Sequence, residues 1–401
     1  DRADRTTLNR VRASVAKKPD IILLSAYLMH YEVVARISAI GKEMGIPVLV
    51  GGPMFNIPST AQHWRHLPGV TAIIGAEADL SIGEIVDAAV QGRDLTQFRG
   101  VTMPDGRQSP PAAPLRPLDE TPFADFSDFP WEKYPVRIVP IMTGRGCQWA
   151  KCAFCSDVVS ANGLTYRTRS IEHVVSEMEE QARRHATRNF LFLDLKLNSW
   201  PDMLRGIGEG LPARVPGAEW IGTIHVDTRS DNGLSRRDLR SAVRGGMRRV
   251  SFGLESGSQR LLDEMQKGST VEGNSRFIRE ASCEGLSIRC TMFAGYPGET
   301  DADMAATADF LEKHEDHLDR VRFNAFSLLE ETPIFKRMAE ANGAAILTHL
   351  QPDPRRARME YRNPATATPA YRRHKKRALA AVYRINKRPV RSRARQFDGL
   401  M

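Results

Sequence analysis

The sequence predicts an α/β protein in two parts: a partial doubly wound parallel sheet, followed by a partial barrel of six βα units. Three observations carry this. From residue 20 to residue 103, short β-branched runs alternate with amphipathic helical patterns; a proline-dense stretch then breaks the series; a second alternating series begins at residue 136. Strand and helix in strict alternation mean parallel strands joined by crossover helices.

Each element follows from its local pattern. Ile21 to Leu24 reads as a buried strand, and Val33, Val34, Ile37, Ile40 and Met44 then mark one face of a helix. Pro47 to Val50 is the next strand, closed by Gly51-Gly52-Pro53, and Thr71 to Ile74 is another, before a helix around Ile82, Ile85 and Val86. Between Ser109 and Pro135 lie seven prolines, with aromatics at Phe123, Phe126, Phe129 and Trp131. Such density of proline disfavours regular elements and reads as a linker packed along the domain surface. Val136 to Met142 opens the second series, and a helix over Ile171 to Arg184 shows Ile171, Val174, Val175 and Met178 on one stripe. Strands follow at Asn189 to Asp194, Trp220 to Val226, Arg249 to Gly253, Ser287 to Ala294 and Val321 to Phe326, with helical patterns between them. Functional groups of such a barrel are expected at the carboxyl ends of its strands. The expected boundaries are 1–108 for the first domain, 109–135 for the linker, 136–330 for the barrel and 331–401 for a C-terminal extension with a basic tail.

Bulk numbers bound the rest. At 401 residues the chain exceeds one small core, and 41% hydrophobic with 26% charged residues is ordinary for a globular protein. The longest apolar run, Ile21 to Met29, is interrupted by Ser25 and is too short to span a bilayer. The charged opening from Asp1 to Arg12 does not read as a signal peptide, and Asp1 in place of Met suggests a fragment or processed product. Five cysteines make no disulfide framework, so a reducing cytoplasm is expected. The net charge of +9 is local: residues 371–397 carry eleven Lys or Arg and no acid, leaving 46 basic against 48 acidic residues, a net of −2, for the rest. A basic helix with a face of Ala378, Leu379, Val382 and Ile385, followed by a disordered end, is expected there as a solvated appendage, and a nucleic-acid partner is not.

Cys147, Cys152 and Cys155 crowd three thiols into nine positions, while Cys283 and Cys290 stand apart. Three thiolates can hold three irons of a [4Fe-4S] cube and leave the fourth open, whereas a closed cluster or zinc site wants four protein ligands. A structural zinc site is the alternative. His63 with His66, and His314 with His317, have helical spacing but no nearby carboxylate pair, and read as solvated rather than as metal ligands.

The segment Gly144-Arg145-Gly146-Cys147-Gln148-Trp149-Ala150-Lys151-Cys152-Ala153-Phe154-Cys155 resembles the cluster loop of the radical S-adenosylmethionine (SAM) superfamily. It departs by one inserted residue in the first gap and agrees in the aromatic Phe154 before the last cysteine. Ser251 to Ser258, with Leu262, Met265 and Lys267-Gly268 after it, resembles the fourth-strand segment of the cobalamin-dependent branch, and Gly295-Tyr296-Pro297-Gly298-Glu299-Thr300 its fifth-strand turn. The likeness spans about Val136 to Glu330. It implies that Glu255 sits near the ribose or methionine part of SAM and that Lys267 pairs with the SAM carboxylate. A structural ion pair for Glu255 and a solvated helix-end charge for Lys267 are the alternatives. Asp194, His225 and Asp227 end strands on the same rim, and for His225 a satisfied structural role is weighed first.

Residues 20–90 resemble the cobalamin-binding domain found upstream of many such barrels, which makes the first domain a Rossmann-like, cobalamin (B12)-binding type. Ser25-Ala26-Tyr27-Leu28 and Gly51-Gly52-Pro53 fall at that family's Ser turn and Gly-Gly turn; Ile74 to Asp79 fits the turn before the last helix, with Glu77 as helix-start chemistry. A bare doubly wound domain is the alternative. No cysteine precedes Cys147, which argues against the methylthiotransferases.

The resemblance implies a cobalamin-dependent radical SAM enzyme, a C-methyltransferase acting on an unactivated carbon through reductive cleavage of SAM to a 5′-deoxyadenosyl radical. The implied cofactors are one [4Fe-4S] cluster, SAM and cobalamin. The implied partners are a small-molecule or peptide natural-product substrate and an electron donor such as flavodoxin or ferredoxin. A radical SAM enzyme performing cyclisation, rearrangement or oxidation, and a non-catalytic metal-binding module, are the other readings.

Overall fold

The computed structural model describes residues 5–340 and 346–400. Asp1 and residues 341–345 and 401 of the expected extension lie outside the described residues. The chain divides into two compact units: residues up to Arg116 with 159–162 and 350–360, and residues 117–158, 163–349 and 361 onward.

In the first unit, α1 (Arg5–Val15), β1 (Ile22–Ser25), α2 (Tyr31–Met44), β2 (Val48–Gly51), α3 (Pro58–Trp64), β3 (Ala72–Ile74), α4 (Ile82–Val90) and β4 (Val101–Thr102) follow in order. The sheet runs β1-β2-β3-β4. The alternation of side chains along a strand explains the layers: Val48, Val50 and Ile73 pack with Val34, Phe55 and Trp64 on one face, and Leu49, Ala72 and Ile74 with Ile85, Ala88 and Val101 on the other. The first three strands are parallel, as expected, but β4 returns antiparallel beside β3, with Ile74 opposite Val101. The connection runs through α4 and then a 3₁₀ turn at Leu95–Gln97, whose Asp94 accepts from the Thr96 amide, and the chain leaves that turn to run back along β3 in the reverse direction.

In the second unit six parallel strands stand in the order β12-β11-β10-β9-β8-β5, an open partial barrel. They are β5 (Val139–Ile141), β8 (Asn189–Phe192), β9 (Glu219–Ile224), β10 (Met247–Glu255), β11 (Ser287–Ala294) and β12 (Arg320–Ala325), and the two-residue β6 (Gly144–Arg145) and β7 (Arg167–Thr168) pair beside the Cys loop. The helices are α5 (Ala161–Leu164), α6 (Ile171–His185), α7 (Pro201–Arg214), α8 (Arg236–Arg244), α9 (Gln259–Glu264), α10 (Val271–Cys283), α11 (Asp301–Lys313), α12 (Pro333–Ala339) and α13 (Pro369–Lys387); β13 (Leu328–Leu329), β14 (Thr348–Asp353) and β15 (Arg358–Arg362) complete the elements, of which the start of α5 and most of β14 and β15 belong to the first unit. Sequential strand order is what right-handed βα repeats produce. Val250, Phe252 and Leu254 meet Phe277, Ile278 and the other helices in one core, and the opposite face of β10 turns Arg249, Ser251, Gly253 and Glu255 into the barrel. Within 117–135 the chain forms only 3₁₀ turns, and Phe126 and Trp131 pack against that core.

The basic tail is not a solvated appendage. Tyr371, Ala378, Ala381 and Ile385 of α13 are buried in the barrel core with Met304, Ala308 and Leu311 of α11. Its end is ordered too, a 3₁₀ stretch over Ser392–Phe397 with Ala394 and Phe397 buried. The physical reason is an apolar face that packs in the core, with charge complementarity beside it. Arg377 pairs with Asp309 and Glu312, Arg384 with Glu315 and Arg388 with Asp316, so an acidic helix end receives the basic one. One histidine of each pair also departs from expectation, while His66 is exposed as expected. His314 is buried and its Nε2 lies 2.9 Å from Ser275 Oγ, while His63 stacks on Tyr31 at 5.8 Å with a buried Nε2; each fits an apolar neighbour that the spacing does not reveal.

Candidate active site

The carboxyl ends of the barrel strands gather the polar groups of the second unit. The first strand passes through Thr143 into the Cys loop, and its turn is held by Asp194, two residues beyond β8. The Asp194 carboxylate accepts from the Thr143 hydroxyl at 2.5 Å, the Thr143 amide at 3.1 Å and the Gly144 amide at 3.0 Å. Burial pushes this carboxyl up to about 6 against those donors. Its hydrogen bonds therefore go to the base of the loop.

The loop itself is anchored at both ends. The Cys147 amide donates to the Gly163 carbonyl at 3.0 Å, and the Ala153 amide donates to the Met265 carbonyl at 2.8 Å. Ala150, in the four-residue gap between Cys147 and Cys152, has a left-handed backbone, φ +43°. Trp149 beside it donates its indole N–H to the Gln266 carbonyl at 2.8 Å and lies 5.8 Å from the His225 ring. Cys147, Cys152 and Cys155 are each half-buried. Burial pushes the Cys152 thiol up, with the Lys267 ammonium pulling it down. Among the described residues no three His, Cys, Asp or Glu side chains converge on one metal-ion position. The donor set, three half-buried thiols on one loop beside a buried cation, fits a cofactor that gives each sulfur its own metal atom.

Glu255 and Lys267 meet. Lys267 Nζ donates to Glu255 Oε1 at 2.9 Å, both side chains are 9% exposed, and the ammonium lies 5.6 Å above the Phe154 ring, which packs on Phe293. Burial opposes the charge of Lys267, but the Glu255 carboxylate and the nearby thiols outweigh it and hold the ammonium above its ordinary range. Lys267 is thus no solvated helix end. The pair needs Gly253: a Cβ there would stand 2.1 Å from Glu255 Oε1 and 2.7 Å from Lys267 Nζ.

A second buried pair was not foreseen. Lys196 Nζ donates to Asp227 Oδ2 at 2.6 Å, with side chains 1% and 0% exposed, and Arg229 Nε donates to the same carboxylate at 2.9 Å. Burial acts against Asp227, but its hydrogen-bonded neighbours, Arg229 and Lys196 among them, hold it well below the usual carboxylate range. His225 is not the satisfied histidine expected. Its Nδ1 is 3.7 Å from Asp227 and neither ring nitrogen has a hydrogen-bond partner; burial lowers it to about 4, so the ring is neutral at pH 7. Leu193 and Leu195, 44% and 46% exposed after β8, put apolar surface on the same rim. Alternation beyond the strand end, Asp194 and Lys196 in and Leu193 and Leu195 on the other side, was the available signal for Lys196.

In the first unit Ser25 and Gly51 are register partners at the ends of β1 and β2, with Gly52 next. Gly52 has φ +146°, and a Cβ on it would lie 2.1 Å from the Ala26 carbonyl oxygen, so that glycine serves the approach of the two strand ends. Glu77 is not at a helix start: it accepts from the Leu115 amide at 2.8 Å, and α4 begins at Ile82. Tyr27, Met29, Leu80 and Ile82, in and after the turns that follow β1 and β3, are 55%, 63%, 49% and 37% exposed. Apolar side chains left uncovered at the carboxyl edge of a doubly wound sheet fit a large bound cofactor.

Comparison with known proteins gives this geometry a family. The family model of the Radical SAM superfamily matches residues 141–311. The chain is 28% identical over 315 residues to an "Uncharacterized methyltransferase PH0819" of Pyrococcus horikoshii, covering 75% of this chain and 66% of that protein. It is 29% identical over 308 residues to the "Anaerobic magnesium-protoporphyrin IX monomethyl ester cyclase" of Rubrivivax gelatinosus, covering 72% and 53%. The chain thus spans about two thirds and about half of these relatives. Among solved structures, the radical SAM methyltransferase TsrM from Kitasatospora setae, with cobalamin and a [4Fe-4S] cluster bound, has the same fold: TM-score 0.68, 18% identity, 95% of this chain and 80% of that one. The likeness to the Radical SAM superfamily thus covers residues 141–311, the part of the chain that carries the Cys loop and the barrel.

Proposed function

We propose that this chain is a cobalamin-dependent radical SAM enzyme, a C-methyltransferase acting on an unactivated carbon. The observation that carries the reading is the placement of Cys147, Cys152 and Cys155 on the loop after the first barrel strand, facing the buried Glu255–Lys267 pair, inside a radical SAM domain. A methyltransferase among the relatives and the TsrM fold support it. When bound, the cluster would supply the electron for reductive cleavage of SAM, and cobalamin would carry the methyl group.

The chain's own residues would do the rest. Cys147, Cys152 and Cys155 hold the cluster and leave one iron open. Lys267 binds the SAM carboxylate and Glu255 its ribose or methionine part, the two charges already poised at 2.9 Å in a site that excludes water. Phe154 walls the loop, and Asp194 acts as a positioning residue through Thr143 and Gly144. Ser25, Gly51 and Gly52 receive the nucleotide tail of cobalamin, with residues 1–108 as its domain, 109–135 as linker and 136–330 as the radical SAM core. The substrate is a small-molecule or peptide natural product, the electron donor a flavodoxin or ferredoxin, and the compartment the cytoplasm. No described helix is long and apolar enough to cross a membrane.

Anaerobic reconstitution tests the reading. About four irons per chain, reductive cleavage of SAM and a methylated product are expected, and Cys152→Ala abolishes both the cluster absorption and SAM cleavage. Stoichiometric zinc without cleavage would establish the metal-binding module instead. The cyclase among the relatives favours one second reading, a radical SAM cyclisation or rearrangement, which would show as 5′-deoxyadenosine formed without methylated product.

A further inference from the structure

Four arginines of the tail are matched: Arg377, Arg384 and Arg388 each meet a carboxylate within 3.1 Å, and Arg391 meets Asp319 at 3.5 Å. Another four stand at the amino-terminal end of the barrel strands, opposite the Cys loop. Arg249 of β10, Arg289 of β11, and Arg320 and Arg322 of β12 line a cavity of about 220 Å³ with Asp398 and Leu400.

Arg249 is 1% exposed. Its Nη1 donates to the carbonyls of Phe397 at 2.8 Å and Leu400 at 3.4 Å, while Nε and Nη2 have no hydrogen-bond partner. Arg289 donates to the Leu400 carbonyl at 2.7 Å, and Arg322 meets no carboxylate among the described residues. Asp398 is the one carboxylate lining the cavity; it bonds Arg320 at 2.9 Å and stands 3.8 Å from Arg249. Asp319, further off, accepts from the Ile288 amide at 2.9 Å and faces Arg391. Among the described residues, four guanidinium groups and one carboxylate line this partly open cavity, an excess of three positive charges. Burial is the main cause that lowers the pKa of Arg249, with Arg289 and Arg320 adding to it and Asp398 opposing.

A buried guanidinium with two unsatisfied N–H groups, among like charges, is unfavourable unless an anion answers it. A carboxylate would cancel one of the three excess charges. A phosphate dianion cancels two and offers the oxygens that guanidinium forks bind in pairs. We propose that this cavity is an oxyanion site for inorganic phosphate, held by Arg249, Arg289 and Arg322. Through the carbonyls of Phe397 and Leu400 that Arg249 and Arg289 also hold, an occupied site ties the chain's last residues to the base of the barrel.

The test titrates inorganic phosphate into the full chain in phosphate-free buffer of low ionic strength, by calorimetry and by thermal unfolding. Wild type and Lys376→Met, a control at an exposed unpaired lysine, should bind one phosphate saturably and melt higher with it. Arg289→Met and Arg322→Met, which spare the buried Arg249, should each weaken binding by about tenfold or more. Absence of saturable binding in the wild type overturns the proposal, as does unchanged affinity in both arginine variants or equal weakening in the control. Acetate binding as tightly as phosphate overturns the dianion assignment.

Discussion

Ala150 sits at φ +43° in the gap between Cys147 and Cys152. A Cβ in the left-handed region costs about 1–2 kcal/mol, and glycine would return most of it, less about 0.4–1 kcal/mol for the freer unfolded chain. Ala150→Gly should therefore raise stability by roughly 0.5 kcal/mol, read as a higher denaturant midpoint with unchanged slope; a lower midpoint would show a different loop conformation. Glu255 is strained in the same sense, at φ +60°, beside a register shift between Gly253 and Glu255 in the pairing of β10 with β11. That bulge and the bare Gly253 together let the Glu255–Lys267 pair form. Gly253→Ala should cost about 1–3 kcal/mol by overpacking and weaken SAM binding in equilibrium dialysis. Wild-type affinity in that variant would remove the pair from the proposed SAM site.

α13 is held by its apolar face more than by its charges. The ion pairs of Arg377, Arg384 and Arg388 are at least a third exposed on the arginine side and contribute about 0–1 kcal/mol each. Ile385 is fully buried, so Ile385→Ala should cost about 2–5 kcal/mol in chemical denaturation while Arg384→Ala costs under about 1 kcal/mol. The reverse order would make the tail an electrostatic clasp. The same helix reaches the turn after β11: the Tyr371 hydroxyl donates to Glu299 Oε2 at 2.8 Å. Burial pushes Glu299 up to about 7 from 4.5, against the Gly295 amide and the Tyr371 hydroxyl. Between those values the folded chain keeps a proton that the unfolded chain has released. The stabilisation from this group is therefore complete below about pH 4.5 and is lost as pH rises through about 7. Glu299→Gln should flatten that fall in unfolding free energy measured across pH 5 to 8; an unchanged profile would place the titration elsewhere.

For the molecule as a whole, the charge map changes meaning once it is folded. A net of +9 with eleven basic residues in 371–397 looks like a binding surface in one dimension. In three dimensions four of the tail's arginines, Arg377, Arg384, Arg388 and Arg391, meet Asp309, Glu312, Glu315, Asp316 and Asp319. A separate group of like charges, Arg249, Arg289 and Arg322, lines a cavity of the second unit. Of these, Arg289 and Arg322 sit on strands whose other face is apolar core, so each reads as an ordinary alternating polar position.

Much of this architecture was legible because its signals are local. Alternating strand and helix patterns placed the parallel strands to within about three residues at each end, and the spacing of Cys147, Cys152 and Cys155 marked the candidate site. Pairings between distant residues were not legible. Asp194 with Thr143, Lys196 with Asp227, Arg384 with Glu315 and the antiparallel β4 each join segments that a periodicity of 2 or 3.6 cannot connect. Which residues share a face is written in the pattern of the chain. Which faces meet, and so whether a buried charge finds its partner, depends on strand order, crossover and packing, and those exist only after folding.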